Sequence, residues 1–250
     1  MSLLSQNYLS QFKDAINELT RFTMVYKFAM DELNTKINIL QEEFQYVHDY
    51  NPIEHCSSRL KSPESILQKV IRKNIDFSLP EIKENIKDIA GIRISCSFIS
   101  DIYRISEMIE NQKDVELVDR KDYIKNPKPN GYQSLHLILK IPVFMSDREE
   151  EVYVELQIRT IAMDFWASLE HKIFYKYNKD IPDRLKKDLK DAAFSAAELD
   201  KKMESIHKEV NQLKKVNEEE ELGDLLSLDL PKNMMQSILK DLNGSLKLLE

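Results

Sequence analysis

The chain has 250 residues, 42% hydrophobic and 32% charged, with a formal net charge of −7. That balance supports one large domain with helical extensions and argues against broad, non-specific binding to nucleic acid. With 4 glycines and 2 cysteines, it carries no glycine-rich dinucleotide loop, no Walker loop and no cysteine pattern of a disulfide framework or metal site.

The thiols, Cys56 and Cys96, suit a reducing compartment. No signal peptide and no bilayer-length apolar run is present, so a cytoplasmic protein without membrane contact is expected. Residues 2 to about 47 read as helix: Phe12, Ile16, Leu19, Phe22, Tyr26, Leu33, Ile37, Leu40 and Phe44 recur at spacings of three, four and seven. This stripe predicts core packing, and its length also suits packing against another subunit. Asn51-Pro52 breaks the helix.

Ser62-Pro63-Glu64 starts the next helix, with a capping hydroxyl, a proline at the first helical position and an acid in the first turn. Ser65, Lys69 and Arg72 then share a face, and Arg59 and Lys61 precede the cap. Five basic residues from Arg59 to Lys73 oppose Glu64 alone, a candidate cradle for polyphosphate. Residues 74 to 86 read as a polar connection.

In Lys87–Phe98, Asp88 precedes a strand pattern with Ile92, Ile94, Cys96 and Phe98 on one side and Arg93, Ser95 and Ser97 on the other. One face is apolar. The other offers a carboxylate and a guanidinium, the groups that magnesium and phosphate oxygens require. Gly91, where the strand begins, suggests a close approach or a bulge. Ser100 to Gln112 is predicted helical and Val115 to Val118 a short strand. The loop from Asp119 to Tyr132, with Pro127, Pro129 and four basic residues, is expected to be mobile. It ends at Tyr132, an aromatic placed to stack on a base.

Ser134–Ile141 and Val152–Arg159 alternate as strands, joined by an acidic hairpin. With the earlier strand they put Arg93, His136, Glu155 and Arg159 on one face. Glu and Gln are poor strand formers, so the Glu155-x-Gln157-x-Arg159 run asks for a functional reason. A helix from about Thr160 presents Ile161, Phe165, Leu169 and Ile173 on one side and Asp164, Ser168, His171 and Tyr175 on another. From Asp183 to about Glu220, Leu185, Leu189, Ala192, Ala196, Leu199, Met203, Ile206, Val210 and Leu213 follow a heptad seam. The seam wants a partner, the N-terminal helix or another chain. Gly223 is expected to stop the helix, with one more after Pro231 in an interaction or packing tail.

Four segments now combine: PIEHCSSRLKSPESILQKVIRK, KDIAGIRISC, KPNGYQSLHL and VELQIRTIAMDFWASLEHKIFYKY. Together, residues 53 to 180 resemble the synthetase domain of the RelA/SpoT alarmone synthetases, and most closely the small stand-alone class. The resemblance implies an α+β fold, a mixed sheet flanked by helices and related to nucleotidyltransferases, between long terminal helices. It implies three parts: a helical segment (1–50), the synthetase domain (51–180) and a C-terminal extension for oligomerisation (181–250).

The activity implied is transfer of the β,γ-diphosphate of ATP to the 3′-hydroxyl of GDP or GTP, giving ppGpp or pppGpp and AMP. By motif position, Asp88 and Glu155 would be the catalytic and magnesium-binding acids. Arg59 and Arg93 would sandwich adenine, and Lys61, Ser65, Lys69 and Arg72 would contact the ATP phosphates. Tyr132 would stack on guanine, with Lys128, His136 and Gln157 near the acceptor and Asp164 where some members carry Asn at the guanine edge. If stacking is the main role of Tyr132, its hydroxyl should be nearly dispensable. The resemblance further implies a homotetramer, and single-stranded RNA is carried as a regulatory partner. The rival readings are a relative acting on the tRNA 3′ end or an adenine nucleotide, and a non-catalytic RNA-binding module on the same fold.

Overall fold

The computed structural model describes residues 3–48, 50–175 and 181–227, and side chains for 18–48, 50–173 and 181–215. In chain order the elements are α1 (Leu3–Val47), β1 (Ile53–Leu60), α2 (Pro63–Lys73), α3 (Leu79–Asn85), β2 (Ala90–Cys96), α4 (Ile99–Glu110), β3 (Glu116–Asp122), β4 (Leu135–Phe144), β5 (Glu149–Thr160), α5 (Ile161–Tyr175) and α6 (Asp183–Ser227). Residues 1–204 form one compact unit, and a second begins at Ser205 within α6.

The strands form one mixed sheet in the order β1-β2-β5-β4-β3. β2 and β5 are parallel and the other pairs antiparallel. Alternation gives the sheet two unlike faces. Ile92 and Ile94, Leu135 to Ile141 at every second position, and Val152, Val154, Leu156 and Ile158 are buried on one of them. There they join Tyr26, Ala29, Leu33, Ile37 and Phe44 of α1 and Ile102, Ile105 and Ile109 of α4 in a single core. Each fully buried side chain of this kind contributes about 1.5–3 kcal/mol. A one-residue slip of β5 would move four of them to the other face, so the core fixes the register of the polar face as well.

The stripe expected on the N-terminal helix thus packs on the sheet, although Leu19 stays exposed and the side chains of Phe12 and Ile16 lie outside the described residues. Ser62 caps α2 as expected, accepting a hydrogen bond from the Ser65 N–H at 3.3 Å. Elsewhere the structure corrects the sequence reading. Residues 53–60 form strand β1, which its serines and charges concealed: only Ile53 is buried, because β1 is an edge strand. The supposed connection 74–86 contains α3, opened by a Ser78 cap that accepts from the Glu81 N–H at 3.4 Å, with Pro80 in the first turn. β3 runs on to Asp122, into the loop expected to be mobile, because its partner β4 supplies a ladder for polar residues. α6 continues through Gly223, which a helix tolerates at a cost of about 1 kcal/mol. The helix expected after Pro231 lies outside the described residues.

Candidate active site

The polar face is assembled by register. Arg59 pairs with Gly91, and Gly91 with Glu155; in the next row Arg93 pairs with Gln157, and Gln157 with His136. These pairings bring residues from four segments, up to 98 positions apart by the numbering of Arg59 and Gln157, onto one surface. Gly91 has no positive φ, and a Cβ there would meet Arg59 and Glu155 only at 3.9–4.0 Å. Neither a bulge nor a backbone clash therefore requires this glycine. Its effect is to leave the floor between Arg59 and Glu155 bare.

Asp88 lies just before β2. Lys61 Nζ and Lys69 Nζ each donate to its Oδ2 at 2.6 Å. Lys61 is fixed by its own N–H, which donates to the Ile89 carbonyl at 2.8 Å, and Lys69 by α2. Burial pushes the Asp88 carboxyl up, but the two ammonium groups outweigh it and hold the group below the usual range. Oδ1 is buried and has no hydrogen-bond partner. An ionised carboxylate with one bare oxygen is a hard donor suited to magnesium. Among the described residues no group of three or more His, Cys, Asp or Glu could hold a metal alone. Phosphate and water oxygens would have to complete such a site, as is usual for magnesium.

Glu155 sits at the end of two hydrogen-bond chains that start at Arg159. Arg159 is 4% exposed, and its Nη2 donates to Tyr132 Oη at 2.5 Å and to Gln157 Oε1 at 2.7 Å. Tyr132 Oη lies 2.7 Å from His136 Nε2, and His136 Nδ1 3.3 Å from Glu155 Oε1. Since Arg159 can only donate, the tyrosine hydroxyl is free to donate to Nε2, which places the imidazole proton on Nδ1, toward Glu155. The second chain is shorter: Gln157 Nε2 donates to Glu155 Oε2 at 2.9 Å. Burial pushes the Glu155 carboxyl up, but the contacts with His136 and Gln157 prevail over it and over the nearby Asp88 charge, so it lies below the usual range.

Asp164, in the first turn of α5, binds two guanidinium groups of the face: Oδ1 is 3.1 Å from Arg159 Nη1 and 3.2 Å from Arg93 Nη1. Lys128 Nζ lies over the rings of Tyr123 (4.5 Å) and Tyr132 (4.6 Å), and Arg159 stacks on the Tyr132 ring at 5.0 Å. Burial raises the Tyr132 hydroxyl above its ordinary value despite Arg159 beside it, so the ring stays neutral.

The structure thus gathers Lys61, Lys69 and Asp88 in one cluster, and Glu155, Gln157, His136, Tyr132, Asp164 and Arg93 in another. Arg59 is exposed beside Gly91. Ser65 and Arg72 are exposed on α2; Ser65 is drawn into the cap, its Oγ 3.1 Å from Ser62 Oγ, and not toward Asp88. Arg159 appeared in the sequence only as one charge on a face, and Tyr123 and Trp166 not at all. The odd choice of Glu, Gln and Arg at alternate strand positions was the signal that pointed to Arg159.

Residues 58–180 match the family described as the region found in RelA / SpoT proteins. The chain is 51% identical over 208 residues to the GTP pyrophosphokinase YwaC of Bacillus subtilis, covering 83% of this chain and 99% of that protein. Among solved structures, the small alarmone synthetase 2 of Bacillus subtilis superposes with a TM-score of 0.71 at 52% identity, over 77% of this chain and 99% of that one. The small alarmone synthetase 1 of the same organism, bound to its product pppGpp, gives 0.72 at 41% identity, over 77% and 98%. At this identity and coverage, the chain belongs to the RelA/SpoT family, on its small alarmone synthetase branch.

Proposed function

We propose that this chain is a GTP pyrophosphokinase that moves the β,γ-diphosphate of ATP to the 3′-hydroxyl of GDP or GTP. The observation that carries the reading is the pairing of two ionised carboxylates: Asp88 under two lysines, and Glu155 at the end of the Arg159 network. Kinship with named GTP pyrophosphokinases agrees with it.

In this account Arg59 and Arg93 flank the adenine of the donor. Lys61 and Lys69, with Ser65 and Arg72 further along α2, receive its phosphates, and Lys61 and Lys69 exchange Asp88 for phosphate oxygens when the donor arrives. Tyr132 carries the guanine base, Lys128 and His136 face the acceptor phosphates, and Gln157 and Asp164 complete the pocket. The 3′-oxygen of the acceptor forms a bond to the β-phosphorus of ATP while the bond from that phosphorus to the α,β-bridging oxygen breaks. AMP leaves with that oxygen. Asp88 Oδ1 and Glu155 would hold magnesium, which when bound neutralises charge on the transferring phosphates. Because Glu155 is held below the usual carboxylate range, it orients the 3′-hydroxyl by accepting its hydrogen bond and is a weak base. The hydroxyl proton departs late, once the new bond has made the oxygen acidic, and passes through Glu155, its hydrogen-bond acceptor, to solvent.

The test is incubation with ATP labelled in its terminal phosphate and each acceptor in turn, followed by chromatography. Label in a guanosine 3′-diphosphate, with one AMP per acceptor consumed, is expected. Label only on tRNA or an adenine nucleotide, or no transfer, would overturn the reading. The same proposal includes a homo-oligomer, a tetramer by kinship, working in the cytoplasm, where free Cys56 and Cys96 remain reduced.

A further inference from the structure

The acceptor tyrosine is not supported by its own loop alone. Tyr132 packs against a small buried cluster made by Trp166 and Ala167 of α5 and Ala193 of α6, with Leu189 and Ala196 beside it. The indole N–H of Trp166 donates to the Leu189 carbonyl at 3.0 Å, tying α5 to α6 one turn before Ala193. The face that α6 turns to the body is lined by Leu189, Ala193, Ala196, Asp200 and Glu204. Two alanines at its centre let the helix come close.

That closeness is greatest at Gly131. Its φ is +90°, and a Cβ built there would lie 2.5 Å from the Ala193 Cβ and 3.6 Å from the Lys190 carbonyl oxygen. The turn holding it is short and closed on itself. The Gly131 N–H donates to the Lys128 carbonyl at 2.8 Å, and the Lys128 N–H to the Tyr132 carbonyl at 3.1 Å. Asn130 reaches α5, donating to Glu170 at 3.2 Å. Lys128, which covers the Tyr132 ring, therefore sits in the same closed turn that rests on α6. Moving Ala193 outward or enlarging it must move Gly131, Lys128 and Tyr132 together.

We propose that α6 is part of the acceptor site, and that Ala193 is a positioning residue which holds Gly131 and so sets the Tyr132 ring for the guanosine nucleotide. This rests on the assignment of Tyr132 to the acceptor base given above. Of the donor groups, Lys61 and Lys69 are held at Asp88 and Arg59 lies exposed on β1, while Arg93 reaches Tyr132 only through Asp164 and Arg159. A disturbance of α6 therefore acts first on the acceptor, and on the donor only at second hand through Arg93.

Two variants approach the contact from its two sides. Ala193→Leu fills the space Gly131 occupies. Gly131→Ala adds the Cβ from the loop and strains a left-handed backbone. Titration calorimetry with GDP and, separately, with a non-hydrolysable ATP analogue gives the two dissociation constants without turnover. The expected result for each variant is an increase of about tenfold for GDP, with the ATP analogue within twofold of the unaltered chain. Trp166 is the only tryptophan of the chain, so its emission reports on this cluster directly. It should shift when GDP is added, and the shift should be lost in Gly131→Ala. If Ala193→Leu does not fold, Gly131→Ala in the surface turn decides alone. Unchanged GDP affinity in Gly131→Ala, an equal loss for both nucleotides, or an emission indifferent to saturating GDP overturns the inference. An unaltered chain that bound neither nucleotide would instead overturn the proposed activity, and this inference with it.

Discussion

At the residue scale, the hydroxyl of Tyr132 sits between two partners, Arg159 Nη2 at 2.5 Å and His136 Nε2 at 2.7 Å. An aromatic after a glycine at a loop–strand junction points to stacking, and stacking alone makes the hydroxyl dispensable. In the structure it joins Arg159 to His136, so Tyr132→Phe strands a guanidinium N–H and an imidazole nitrogen in a half-buried site. Losing such partners costs about 1–3 kcal/mol of stability, and turnover should fall because His136 loses the contact that orients it toward Glu155. Steady-state kinetics on Tyr132→Phe checks this; turnover equal to the unaltered chain would mean the Arg159 chain is idle. Gly91 gives a second residue-scale expectation. Gly91→Ala should melt within a few degrees of the unaltered chain, since its Cβ meets nothing closer than 3.9 Å. Gly91→Leu should abolish nucleotide binding by filling the floor between Arg59 and Glu155, and binding measured by calorimetry would show it. The placement of Glu155 on the polar face, and of Asp88 at the entry to β2, was legible from residue type and strand spacing. Arg159 as a hub was not, because pairing between β4, β5 and the Tyr132 loop is what makes it one.

Elements show a similar division. Alternation revealed the buried strands β2, β4 and β5, where one face is a continuous core. It missed β1 and caught only the start of β3, which lie at the two edges of the sheet and have little apolar surface to alternate. The heptad pattern of α6 was legible, but not which stripe faces the body. Leu189 and Ala196 of the seam do, whereas Leu185, Leu199 and Met203 are 46–54% exposed, so α1 does not cover them. The stripe that docks also contains Asp200, whose Oδ2 accepts from Thr160 Oγ1 at 2.5 Å while Thr160 itself caps α5 through the Met163 N–H. Burial, with Glu204 nearby, raises the Asp200 carboxyl despite the Thr160 hydroxyl. A carboxyl raised in the fold contributes stability below the ordinary carboxylate range and loses it as pH rises through its folded pKa. At pH 8 it is therefore an ionised, buried liability. Asp200→Asn, which can still accept from Thr160, should raise the melting temperature at pH 8. Scans at falling pH should show that advantage shrinking toward about pH 4. An advantage independent of pH would contradict the assignment to this carboxyl.

On the scale of the whole molecule, apolar residues stay exposed along two helices among the described residues: Ile161, Phe165, Leu169 and Ile173 on α5, and Leu185, Leu199 and Met203 on α6. Exposed apolar surface on this scale marks an interface, and the chain should be a homo-oligomer at micromolar concentration by light scattering. A monomer there would leave these residues unexplained. The interface would then lie on the same helices that carry Asp164 and brace Tyr132, so assembly and the acceptor site share their supports. The central claim is nonetheless chemical: two carboxylates and a basic helix direct attack at the β-phosphorus of ATP. It is tested most directly by supplying GDP with ATP carrying oxygen-18 in the α,β-bridge and weighing the products by mass spectrometry. The heavy oxygen is expected in AMP, one per GDP consumed, and the guanosine 3′-diphosphate should carry none. Heavy oxygen in the guanosine product, or AMP formed without GDP being consumed, would contradict it.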